Sequence, residues 1–341
     1  MARLSEAEIG ALGAAALGVI GLLATRRTPP AAKRGLPVKA ADRARALVPQ
    51  RERRGARFPL ANIGGNTRHP HIRAARRLNR AAGLLATSVL TDSAVEHYRG
   101  SFQNRAMYAP LITSALTLAI SAHGVGDERS GAHVIRDTVY ALAGLTGTVG
   151  TGFHVYNIGK RPGGFSWLNL FYGAPLGAPF ALVLSGLLGF TAERVRENRP
   201  GRTPRIFGLP AGRAMAALSS FGMIGTVGEA SLLHFRGAFH DPAMFLPVTV
   251  PPVAAGLLAD TALVQRGHAR RFTRWWLRLT AAVGLAGVGF HIFGVARNMG
   301  GWRNWSQNVL NGPPIPAPPS FTGLALAGLA ALGLLEDHPD A

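Results

Sequence analysis

No cysteine occurs among the 341 residues. That excludes disulfides, thiolate zinc sites, Cys-ligated iron–sulfur clusters, covalent c-type haem and a cysteine nucleophile. Any metal or metal cofactor must be held by histidine or carboxylate, and eleven histidines are present. Charge is scarce as well. Asp, Glu, Lys and Arg make up 16% of the chain, against about 25% in soluble domains. Acids are the scarcer sign, 17 against 37 Lys and Arg. Period-two alternation is missing, so strands are not expected. There is no P-loop, no GxGxxG opening a helix after a strand, no HExxH and no credible GxSxG. Ser, His and Asp occur in no spacing that suggests a triad. What abounds is apolar residues (48%) and glycine (43). Low charge, long apolar runs and abundant glycine point to an all-α integral membrane protein.

The basic residues are clustered. Residues 26–80 hold sixteen Lys and Arg against two acids, Asp42 and Glu52. Basic loops beside apolar spans are the positive-inside signal, so no nucleic-acid partner is expected and the lipid bilayer is. The first apolar run, 9–24, follows Glu6 and Glu8 and precedes Arg26 and Arg27. A cleavable leader has the opposite order. Residues 1–25 therefore read as a retained membrane-anchor helix, or as an interfacial one. Residues 26–72 read as an irregular, basic cytoplasmic arm. Eight helix-length apolar segments follow, at about 73–98, 107–123, 133–158, 176–194, 211–235, 244–264, 272–297 and 320–335.

These segments repeat. Residues 97–110 read HYRGSFQNRAMYAP and 234–247 read HFRGAFHDPAMFLP, with seven of fourteen positions identical at an offset of 137 residues. GTVGTGFH at 147–154 matches GLAGVGFH at 284–291, and Gly163-Gly164 matches Gly300-Gly301, at the same offset. The expected architecture is a tandem duplication of a four-helix unit, 73–200 and 201–338, giving eight core transmembrane helices. Four helices per unit bring both units in and out on one side, as parallel repeats about an axis along the membrane normal. The basic connections put that side in the cytoplasm of a bacterial-type inner membrane. The loops at 99–106, 159–175, 236–243 and 298–318 then lie outside.

His97 ends the first helix of its unit and His154 lies near the end of the third, which runs in the same direction. His234 and His291 repeat this. Two imidazoles at one depth on parallel helices suit a bis-histidine haem b, so these four are the candidate ligands for haem iron or another metal. Gly147 and Gly150, and Gly284 and Gly287, lie within about 40° of the histidine's face. They read either as a bare face for a flat porphyrin or as close helix packing. Arg99 and Arg236 follow the histidines by two and read as propionate partners or as snorkelling side chains. Asp92 and Glu229, five residues before His97 and His234, are expected to face a proton path, a quinone headgroup or a buried partner. Glu96 and His240 lack counterparts and rank lower. Asn104 and Asp241 read as helix caps. His69, His71, His133, His268 and His338 read as solvated, and Pro251-Pro252 as a kink. The outer loops, GGFSWLNLFYGAP and GGWRNWSQNVLNGPP, read as an aromatic belt or a docking surface for an extracytoplasmic protein.

The leading expectation is a membrane electron-transfer subunit, a cytochrome b-like anchor with one haem b per unit, passing electrons from an extracytoplasmic dehydrogenase to quinone. Any enzymatic role would be as the membrane subunit of an oxidoreductase. The alternatives are a transporter or scaffold without haem, and a non-haem metal site at which the four histidines converge.

Overall fold

The computed structural model describes residues 69–199, 201–264 and 270–338. The expected anchor helix, the arm up to residue 68, and His268 lie outside the described residues. Eight long helices match the eight apolar segments. They are α1 (Pro70–Arg99), α2 (Ala109–Gly126), α3 (Val134–Gly159), α5 (Gly177–Glu197), α6 (Ala211–Arg236), α7 (Leu246–Leu263), α8 (Arg270–Arg297) and α10 (Pro319–Asp337). Among the described residues, six helical stretches are long and apolar enough to cross a membrane: 105–126, 177–197, 211–236, 242–263, 270–297 and 319–337. The protein is an all-α, multi-pass membrane protein.

The local chemistry explains the ends. Pro70 sits in the first turn of α1, where its missing N–H costs nothing. Asn104 and Asp241 cap short 3-10 turns by accepting from Ala106 N and Ala243 N, each at 2.9 Å, as the sequence implied. Two outer loops contain short helices that the apolar pattern did not separate, α4 (Trp167–Tyr172) and α9 (Trp305–Asn311). α7 runs as one helix through Pro251 and Pro252. One small departure from all-helix occurs between α5 and α6, where β1 (Arg205–Ile206) pairs antiparallel with β2 (Leu209–Pro210). Phe207 (φ 49°) and Gly208 (φ 82°) supply the two left-handed residues that a two-residue hairpin turn needs.

Packing places the helices in two rings. α1, α2, α3 and α5 each touch their neighbours in that order and α5 returns to α1. α6, α7, α8 and α10 do the same. The rings join where α1 meets α10 and α5 meets α6. This junction is built from small residues. Ala81, Ala82, Ala325 and Ala331 are fully buried, and a Cβ on Gly323 would stand 3.2 Å from Ala81 O. Small residues let backbones approach, and in a bilayer that contact, not expulsion of water, drives association. A hydroxyl contact crosses the junction, with Ser88 Oγ 3.0 Å from Ser320 Oγ, and within the first ring Ser185 Oγ–H donates to Ala82 O at 2.7 Å. Outside the junction, α2, α6, α7 and α8 present large exposed apolar side chains, Leu116, Phe221, Val253 and Leu285 among them.

Candidate functional site

In each ring the first and third helices stand diagonally, with the second and fourth between them. His97 and His154 thus face one another across the first ring, and His97 is close enough to act on His154 electrostatically. His234 and His291 face one another across the second, with ring centres 6.4 Å apart and planes at 69°. All four imidazoles are tethered alike. Nδ1–H donates to a backbone carbonyl: His97 to Met107 O at 2.7 Å, His234 to Met244 O at 2.8 Å, His154 to Pro175 O at 2.5 Å, and His291 to Pro314 O at 2.6 Å. Fixing Nδ1 this way sets the tautomer and aims Nε2. None of the four Nε2 atoms makes a hydrogen bond among the described residues. The loop after each first helix holds the arrangement. Ser101 and Phe102 have φ of 56° and 45°, and Ala238 and Phe239 repeat both values. Phe102 stacks on Tyr108 and Phe239 on Phe245, with ring centres 4.5 and 4.7 Å apart. Consecutive left-handed non-glycine residues are strained, and such strain persists only where surroundings over-determine it.

The second pair passes a fit test for iron between two imidazoles. Two rings that ligate one ion from opposite sides, each nitrogen at about 2 Å, have centres about 6 Å apart. The second pair stands at that spacing with both Nε2 atoms uncommitted. The four histidines do not converge on one point. Among the described residues no three His, Asp or Glu side chains group closely enough to share an ion.

Other sequence expectations are corrected. The glycines do not form a bare face. A Cβ on Gly147 would meet Pro179 O and Val183 N, both at 2.6 Å, and one on Gly284 would meet Pro318 O and Thr322 N, both at 2.9 Å. Gly150 and Gly287 approach the same prolines, at 3.3 and 2.8 Å. All four serve the close packing of α3 on α5 and of α8 on α10. Each arginine has a local contact. Arg99 pairs with Glu96 at 2.7 Å. Arg236 lies over the rings of Phe171 and Tyr172, 5.7 and 5.2 Å from their centres. Glu229 lies deep between the rings, where its Oε1 accepts from Gly177 N at 3.2 Å at the start of α5. Glu229 is therefore held at the positive end of a helix from the other ring. Asp92 lies within the field of Glu229. Position 316, the counterpart of Gly177 if Pro175 and Pro314 are matched, is a proline with no N–H to offer.

The sequence reading missed one cluster, at the opposite end of the first ring. Arg136 is 1% exposed and binds Glu193 through Nε and Nη2 at 2.9 and 3.0 Å and Asp127 through Nη1 at 2.9 Å. It also donates to His123 Nδ1 at 2.9 Å. Arg196, fully buried, donates to Gly124 O at 2.9 Å and Asp127 O at 2.7 Å. His133, expected to be solvated, has a buried Nδ1, and its backbone N–H donates to Glu193 at 2.9 Å. Burial alone would raise the Asp127 carboxyl. Hydrogen bonds from the Arg129 side chain and backbone and from Arg136 outweigh it and hold the group well below the usual carboxylate range. At the 137-residue offset Asp127 and Arg136 become Val264 and Thr273, so the second ring lacks the network. Only that asymmetry could have signalled it.

Neither a protein-family model nor a curated protein nor a solved structure matches this chain.

Proposed function

We propose that the chain is a tandem duplication of a four-helix unit, spanning a bacterial-type inner membrane eight times, and that it acts as a b-type cytochrome subunit. His97 and His154 would ligate one haem b and His234 and His291 a second, both near the outer face. A bound haem b would supply one-electron transfer. The protein's part is to orient the imidazoles. The Nδ1 tethers to Met107, Pro175, Met244 and Pro314 fix their tautomers. An extracytoplasmic dehydrogenase would deliver electrons at the aromatic outer loops and quinone would take them up, with Asp92 and Glu229 as candidate carboxyls for the accompanying protons. The observation that carries this reading is the second pair. Its ring centres stand 6.4 Å apart, both Nδ1 atoms donate to carbonyls, and both Nε2 atoms are left over. That four imidazoles share one tethering scheme favours ligation over packing, because packing alone does not require an uncommitted nitrogen.

The test is a reduced-minus-oxidised visible spectrum of the purified protein with a pyridine haemochrome assay, on wild type, His154→Ala and His291→Ala. The expected result is a b-type spectrum with about two haems per chain, reduced to about one in each variant. A flat spectrum from folded protein made with ample haem would overturn the proposal.

A further inference from the structure

At the end of the bundle remote from the histidine pairs, α1 of the first ring packs on α10 of the second, and α8 packs on α10 beside it. Arg73, Arg77 and Arg80 fall at i, i+4 and i+7 on α1, and Arg274 and Arg278 at i, i+4 on α8, so each set forms a ridge along one helix face. The ridges face each other: Arg77 lies in the field of Arg73, Arg80, Arg274 and Arg278 together. Between them is a cavity of about 190 Å³, lined by Arg73, Arg77, Arg274, Gly333, Glu336 and Asp337 among others. Three guanidinium groups, those of Arg73, Arg77 and Arg274, thus line the cavity with two carboxylates, and Glu336 is already paired with Arg274. Arg77 is held in place by donating from Nη1 to Leu329 O at 3.1 Å. Like charges gathered at one cleft repel unless an anion lies between them, and the guanidinium fork matches the oxygens of a phosphate.

A second feature sets the depth. Phe272, Trp275 and Trp276 cluster beside Arg274, with ring centres 5.6 to 6.5 Å apart, and Phe272 and Trp275 are more than half exposed. Exposed tryptophans of a membrane protein mark the headgroup level. The cleft therefore opens where lipid phosphates lie, not in bulk water.

We infer that this cleft binds the phosphate of an acidic phospholipid, in the leaflet on the side of the basic segments, and that the lipid ties the two rings together there. Basic pockets between membrane helices hold acidic headgroups for the same reason. The inference rests on the membrane reading alone and stands whether or not haem is bound.

The test uses the full chain in detergent, with native mass spectrometry after adding phosphatidylglycerol or phosphatidylcholine. Wild type is expected to retain phosphatidylglycerol selectively. Arg73→Gln should weaken retention about tenfold, the scale of one charge-assisted contact, and Arg77→Gln with Arg274→Gln more than that. Arg205→Gln, at the hairpin outside the cleft, should not weaken it. Circular dichroism checks that each variant folds, and Arg73→Gln, whose side chain is exposed, keeps the question open to measurement if the double variant does not. Equal retention of both lipids, or unchanged retention in the folded variants, overturns the inference. Inorganic phosphate that raises the melting temperature as much as phosphatidylglycerol does overturns the lipid as the source.

Discussion

Arg136 shows how much a single side chain carries. It is buried between Glu193 and Asp127, and breaking a buried pair from one side leaves an uncompensated charge. Arg136→Met is expected to cost about 3–5 kcal/mol, read by denaturation in detergent. Arg136→Met with Glu193→Leu should recover most of that loss, because it removes both partners of the buried pair. Gly147 is a second residue-scale case. Gly147→Leu should destabilise the protein strongly, since its Cβ has no room between Pro179 and Val183, while Gly152→Leu, with no atom within 4 Å of its Cβ, should be nearly neutral. Thermal shift on the two variants separates them. An unchanged melting temperature in Gly147→Leu would overturn the packing role of this glycine.

At the scale of elements, the repeated loop after α1 and α6 is the informative piece. The sequence marks it as HxRGxF followed by AM, but not what it does. In the structure two left-handed residues turn the chain so that the carbonyl of Met107 or Met244 comes back to the histidine. The strain of that turn predicts that Ala238→Gly raises stability by about 1 kcal/mol, since glycine adopts φ 56° without penalty. A melting temperature measured beside that of wild type decides it. The caps at Asn104 and Asp241 were legible because capping depends on near neighbours in sequence. The tether from His154 to Pro175 was not, because 21 residues separate them.

For the whole molecule, a buried polar network fastens one end of the first ring, while the second ring carries Val264 and Thr273 at the positions of Asp127 and Arg136. This makes stability depend on pH. Asp127 has its folded pKa below its unfolded value, so its contribution is complete above about pH 4, the ordinary carboxylate value, and disappears as pH falls through the folded one. The melting temperature of wild type should therefore fall more steeply on acidification than that of Asp127→Asn, which starts lower at neutral pH. Parallel slopes would place the acid sensitivity elsewhere.

By itself the sequence determined the helical class, the eight long segments and the two caps. Each of these follows from composition, from periodicity or from a spacing repeated along the chain. Tertiary structure alone decided that first and third helices stand diagonally and that the four glycines face the next helix. It also decided what Arg99 and Arg236 contact, that Glu229 lies at the start of α5, and that residues 127, 136, 193 and 196 form one buried network. The physical reason is that these contacts join side chains many residues apart. Which face of a helix meets which neighbour is set by packing, and a one-dimensional pattern of small and polar residues fits several packings equally well.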